Sequence, residues 1–252
     1  MHTTKFSALL AVAVAGVVTL SGCGDTSTAH TEPAANGVRV LWMGDSIAGA
    51  QAPALEAALK AGGAAFKDMS SAGGGNVVTG DHEVTAMGAK DTWKALKDNL
   101  ASFKPTVVAY QITSYDWGTE QQQLSAYRKL AKTAQDGGAR LVLVSAPPFK
   151  IDEFFKPHES AIRSAPAMAA KAAGAAGARY LDAAPLWGRD HADAKAQRAK
   201  DGIHSCQQGS AAFAAWFAKR LGELGGFTPA APGAWAKGPW TGDERFAKLG
   251  CG

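Results

Sequence analysis

The chain has 252 residues, 46% hydrophobic and 19% charged, enough for one sizeable buried core. Its formal net charge of +4 comes without any run of Lys and Arg, so the balance does not point to nucleic acid as a partner.

Lys5 is followed by an uncharged, mostly apolar stretch, Phe6 to Leu20, and then by Leu20-Ser21-Gly22-Cys23. A basic start, a short apolar run and small residues form the pattern of a secretory signal, and the run is shorter than the ~20 residues of a membrane span. Leu-Ser-Gly-Cys also resembles the lipobox of bacterial lipoproteins, in which the cysteine becomes the lipidated first residue. The plainer alternative is an ordinary signal peptide with a chance cysteine. Lys5 is the one charged residue of segment 1–22, so cleavage before Cys23 lowers the net charge from +4 to +3. Cys206 and Cys251 then remain as an even pair in an oxidising compartment, which predicts a disulfide between them.

Residues 24–37 are polar and small with Pro and Gly, the composition of a flexible tether. From Val38 onward, short apolar runs alternate with helical patterns. The expected strands are Val38–Trp42, Ala64–Met69, Thr106–Ile112, Arg140–Ser145 and Ala178–Asp182. Helices are expected at about 52–61, 91–103, 119–137, 159–176 and 209–224. Gly137-Gly138 supplies a stop signal, and Phe213, Trp216, Phe217, Leu221 and Leu224 fall on one helical face. This alternation predicts an α/β protein: a three-layer α/β/α, flavodoxin-like sandwich with a five-stranded parallel sheet. The expected organisation is a signal over 1–22, anchor and tether over 23–37, and one domain over 38–252. Its last part, from about 225, is expected to be an irregular tail pinned by Cys251. Trp235 and Trp240 in that tail pack inside or stack on a sugar ring.

In such sheets ligands bind beyond the carboxyl ends of the strands. The loops there read Gly44-Asp45-Ser46, Ser70-Ser71-Ala72-Gly73-Gly74-Gly75-Asn76 and Thr113-Ser114-Tyr115-Asp116-Trp117, with Asp201-Gly202-Ile203-His204 before the last helix. Serine needs a base to take its proton, usually a histidine oriented by a carboxylate. A short Gly-containing loop can fold Asp201 onto the His204 imidazole, leaving the other ring nitrogen for Ser46. The backbone amides of Ser46, Gly74 and Gly75 are candidate donors to an oxyanion. Asp45 is read as a turn and hydrogen-bonding residue. Asp182 is an end-of-strand acid and the fallback orienter. His30, His82, His158 and His191 lack metal-ligand spacing and are read as surface residues; no metal and no cofactor are expected.

Gly-Asp-Ser after the first strand and Asp-x-x-His before the last helix resemble the first and last blocks of the SGNH (GDSL-type) hydrolases, over most of residues 38–224. The resemblance implies Ser46 as nucleophile, His204 as base and Asp201 as orienting acid, with Gly74 or Gly75 as the second-block glycine. The third block departs from it. The family's Gly-x-Asn-Asp is here Thr113-Ser114-Tyr115-Asp116, so Tyr115 stands at the asparagine that donates to the oxyanion. Tyr115, Ser114 and Asn76 are the candidates to replace that donor. SGNH domains of polysaccharide acyltransferases also lack the standard third block, and Trp117 is similar to their usual tryptophan. The leading expectation is a lipid-anchored serine esterase acting on O-acyl groups of carbohydrate or on small lipid esters, touching the membrane only through Cys23. The alternatives are an envelope polysaccharide O-acyltransferase using the same residues, and an inactive carbohydrate-binding domain. No oligomeric state is implied.

Overall fold

The structure, a computed structural model, describes residues 37–251. The signal segment, Cys23 and the tether up to residue 36 lie outside the described residues.

Five parallel strands, β1 (Arg39–Met43), β2 (Ala65–Asp68), β3 (Val107–Gln111), β4 (Arg140–Val144) and β5 (Arg179–Leu181), pair in the order β2-β1-β3-β4-β5. This is the flavodoxin-like order, and each strand end falls within one residue of its apolar run. Alternation along β1 shows why the run is apolar throughout: Val40 and Trp42 enter one core, Leu41 and Met43 the other.

Helices α1 (Ser46–Ala61), α2 (Glu83–Ser102), α3 (Glu120–Asp136), α4 (Glu159–Ala176), α5 (Ala184–Trp187), α6 (Gln207–Glu223) and α7 (Glu244–Lys248) cover the sheet and its edges. One core joins Leu55 and Leu59 of α1, Trp187 of α5, and Phe213 and Phe217 of α6 to the first face. The other joins Leu96 of α2, Leu124 and Tyr127 of α3, and Ala165 and Ala169 of α4 to the second. These are the three expected layers.

Two helices start earlier than expected. Helix α1 begins at Ser46, not near 52, because the Asp45 carboxylate caps it by accepting from the Ile47 N–H. Pro53, which reads as a helix-starting residue, sits inside it and leaves the Gly49 carbonyl without its usual intrahelical donor. Helix α2 begins at Glu83, not at 91, with the His82 ring accepting from the Val84 N–H. Gly88 interrupts its pattern for a packing reason: a Cβ there would lie 2.3 Å from Asn76 Oδ1.

The tail also departs from expectation. It contains α7, capped by Asp243, and two short 3-10 turns, Pro232–Ala234 and Pro239–Gly242. Trp235 is buried in the first core, and Trp240 packs beside it, donating from Nε1 to the Trp235 carbonyl at 2.8 Å. Cys206 and Cys251 are joined by a disulfide, with their Cα atoms 5.5 Å apart.

Candidate active site

Strand β1 ends in a sharp turn. Gly44 has φ +154°, and a Cβ there would meet the Ala48 Cβ at 2.5 Å. The next two residues are the buried helix cap Asp45 and Ser46, the first residue of α1. Ser46 therefore stands beyond the carboxyl end of β1, which β2 and β3 flank with their connections leaving in opposite senses, the usual ligand position in such sheets.

Ser46 Oγ lies 2.8 Å from His204 Nε2, and His204 Nδ1 lies 2.7 Å from Asp201 Oδ2. The Asp201 loop is folded by its own carboxylate, since Oδ1 accepts from the Ile203 N–H at 2.8 Å and the His204 N–H at 3.0 Å. Burial acts to raise the Asp201 carboxyl, but the bonds from His204 and Ile203 outweigh it and hold the group below its ordinary value. Arg198 supports the loop from behind. Its guanidinium sits 4.6 Å from the Trp187 ring and donates to the Ile203 carbonyl at 3.1 Å. Burial pulls Arg198 down to about 10.

The loop after β2 passes tightly against the Gly44 turn. Gly75 has φ +72°, and a Cβ on it would fall 2.0 Å from the Gly44 carbonyl oxygen. Gly74 and Gly75 are buried, and neither N–H donates to a protein acceptor among the described residues. Such amides are available to a bound oxyanion. Asn76 is not: its amide nitrogen donates to the Val78 and Thr85 carbonyls at 2.8 and 2.9 Å, which uses both hydrogens. Ser114 is also committed, donating from N and Oγ to Asp45 Oδ2, both at 2.7 Å. Those bonds brace the turn that carries Ser46 against the third loop, and burial pushes the Asp45 carboxyl up despite them. Tyr115 remains as the uncommitted third-loop side chain. It is half-buried beside the rings of Trp117, Phe154 and Phe155, and its phenol is raised first by burial and then by the Asp45 and Asp152 charges.

Asp116 ties the second and third loops together. Its buried carboxylate accepts from the Tyr110 and Tyr127 hydroxyls and from the N–H groups of Val77, Val78 and Thr113. Burial nevertheless pushes it up to about 6. The fallback acid Asp182 stays at the end of β5, accepting from the Ala184 N–H and the Ser145 hydroxyl, as an end-of-strand acid should. His82 and His158 are at the surface but in ring contacts, His158 stacking on Trp117 at 3.6 Å.

Ser46 and His204 line a 350 Å³ cavity together with Gly49, Ala50, Ala72 and residues of the C-terminal tail. A 740 Å³ groove lies on the β3–β5 side, lined among others by Thr113, Pro147, Phe149 and Arg189. Among the described residues no cluster of three or more His, Cys, Asp or Glu is placed to hold a metal ion. None of their helices is long and apolar enough to cross a membrane. Sequence reading missed Arg198, the Asp45–Ser114 brace and the Asp116 clamp. Their partners lie in other loops or carry no spacing signal.

A family model described as an SGNH domain, fused to AT3 domains, matches residues 19–207. No curated protein sequence matches the chain. Among solved structures, a GDSL-like lipase from Bacteroides thetaiotaomicron superposes with a TM-score of 0.54 at 14% identity, over 74% of this chain and 88% of that one. A lipase/acylhydrolase from Enterococcus faecalis gives 0.53 at 16% identity, over 77% and 99%. A catalytic mutant of an acetylxylan esterase from Geobacillus stearothermophilus gives 0.50 at 14% identity, over 74% and 94%. At these identities the likeness is one of fold.

Proposed function

The chain belongs to the SGNH family of ester-bond hydrolases, and from that premise we propose that it is a secreted, lipid-anchored serine esterase acting on O-acyl groups of carbohydrate or on small esters. The observation that carries this reading is the continuous line of hydrogen-bond distances from Asp201 Oδ2 through both ring nitrogens of His204 to Ser46 Oγ.

In this reading His204 Nε2 takes the hydroxyl proton of Ser46 as Oγ attacks the ester carbonyl carbon. Asp201 holds the ring in the tautomer that leaves Nε2 free, and stabilises the imidazolium. The tetrahedral oxyanion is met by the N–H groups of Ser46 and Gly75, with Gly74 as the neighbouring donor. The carbon–oxygen bond to the alcohol then breaks, and His204 returns the proton to the leaving oxygen. A water molecule, deprotonated by His204, attacks the acyl-enzyme and releases the carboxylic acid and the Ser46 hydroxyl. Cys23 anchors the mature chain through its lipid, and residues 24–37 connect that anchor to the domain.

A second reading sends the acyl group to a sugar hydroxyl instead of water. It is favoured by Tyr115 at the usual asparagine position and by the family model's description as an SGNH domain found fused to AT3 domains. An added glycan acceptor that accelerates loss of the acyl-enzyme supports transfer; an acceptor without effect supports hydrolysis.

The test is hydrolysis of short-chain aryl esters by wild type and Ser46→Ala, together with labelling by a fluorophosphonate. Loss of about 10⁴-fold or more in turnover, and labelling of Ser46 that His204→Ala abolishes, are expected. Equal residual rates in both proteins sink the esterase reading, and absence of labelling favours an inactive binding domain. Cys23→Ser should move the protein from the membrane fraction to the soluble fraction.

A further inference from the structure

We infer, on the esterase reading above, that the tail segment Asp243–Cys251 is a substrate-selecting wall of the catalytic cavity, and that Leu249 limits the length of the acyl chain. The cavity holding Ser46 and His204 is closed on one side by Arg245, Lys248 and Leu249. All three lie beyond residue 207, where the family model's match ends.

Three attachments hold this wall in place, and each begins in the sequence. Pro53 has no N–H, so the Gly49 carbonyl four residues earlier lacks an intrahelical donor. Arg245 Nη1 supplies one at 2.8 Å. The same guanidinium reaches Asp68 Oδ2 at 3.0 Å and Asp243 Oδ1 at 3.1 Å, tying α7 to the end of β2 and to its own cap. Phe246 is buried, with its ring beside Trp240. The Cys206–Cys251 disulfide joins the end of the wall to the cap of α6, two residues beyond His204. One covalent bond thus links the segment bearing the base to the wall facing it.

The chemistry of the lining names the chain it selects. Gly49, Ala50, Ser70, Ser71 and Ala72 are small, Asp68 is taken up by Arg245 and the Ser70 hydroxyl, and Leu249 is the one large apolar side chain of the lining. The cations of the wall are already met by carboxylates: Arg245 by Asp68 and Asp243, Lys248 by Glu244 at 2.9 Å. An anionic acyl group therefore finds no unmet cation here, whereas a neutral aliphatic chain finds apolar contact. A volume of 350 Å³ is near the lower end of the ~300–1,000 Å³ of small-molecule sites, which fits a short chain.

The experiment compares kcat/KM for para-nitrophenyl acetate, butyrate, hexanoate and octanoate in wild type, Leu249→Ala and Leu249→Trp, with melting curves to verify folding. Wild type should favour acetate and butyrate. Leu249→Ala should raise the hexanoate-to-acetate ratio about tenfold, and Leu249→Trp should lower the butyrate-to-acetate ratio by a similar factor, since one methylene in an apolar pocket changes discrimination by at least about that much. A measurement on the unmutated protein stands beside these: a short-chain alkyl fluorophosphonate should label Ser46 faster than a long-chain one. Ser46-dependent turnover with unchanged ratios in folded variants, or equal labelling rates, overturns the inference and leaves the esterase reading standing. No Ser46-dependent turnover of any ester in wild type overturns both.

Discussion

Gly75 occupies the point where the loop after β2 crosses the turn that presents Ser46. Its φ of +72° and the 2.0 Å separation between a notional Cβ and the Gly44 carbonyl oxygen leave no room for any side chain. Gly73, two residues earlier, has nothing within 4 Å of the same position and no positive φ. Gly75→Ala should therefore lower the unfolding free energy by about 2–3 kcal/mol and ester turnover by about a hundredfold, because a displaced turn misplaces Ser46. Gly73→Ala should alter both little. Urea titrations and initial rates on the pair decide it, and equal behaviour of the two variants would sink the packing argument. At this scale the sequence told most about residues whose chemistry is local. Asp201 and His204 sit three apart in a glycine-containing loop, so their pairing is a property of one short segment. Asp45 and Ser114 are 69 residues apart, and nothing at either position marks the other. The same limit explains Asn76, a plausible oxyanion donor by position until the carbonyls of Val78 and Thr85 are seen to take its hydrogens.

Loops carry the site, and Asp116 holds two of them against each other. Its carboxyl is an acid raised on folding, to about 6, by burial that outweighs the five groups donating to it. Between about pH 4 and 6 the native state therefore keeps a proton that the unfolded chain has released. The contribution to stability is fully present below about pH 4 and is lost as pH rises through about 6, by about 3 kcal/mol. Asp116→Asn cannot titrate, so the comparison isolates this group. The wild-type-minus-variant difference in unfolding free energy should become less favourable to wild type by about 3 kcal/mol between about pH 4 and 7. An identical difference at both pH values would refute a buried carboxyl that takes up a proton on folding. The boundaries of elements show the same division between local and distant causes. Helix α4 has the bounds its pattern predicts, whereas α1 and α2 start six and eight residues early. Gly88 and Pro53 read as interruptions because their reasons lie elsewhere: Gly88 makes room for Asn76, and Pro53 frees a carbonyl that Arg245 takes up.

For the whole molecule, the sheet order was legible because five apolar runs with intervening helical patterns admit few parallel arrangements. The tail was not, because its placement rests on contacts to distant residues and on one covalent bond. Those contacts give it a role in the architecture that composition could not reveal. Phe227 and Trp235 complete the core over α1 and α6, Phe246 is buried, and the chain end returns to the segment that carries His204. The disulfide closes a separation of 45 residues, so in the chain-entropy account it stabilises the fold by about 4 kcal/mol. A Cys206→Ser/Cys251→Ser double variant should lose about that much unfolding free energy, and wild type with reductant should match it. Urea titrations with and without dithiothreitol make the comparison. The variant's remaining stability then reports on noncovalent docking, for Arg245 still reaches the Gly49 carbonyl and Phe246 still fills its pocket. A loss below about 1 kcal/mol would mean that these contacts hold the tail without the bond and that the cysteines add little to the fold.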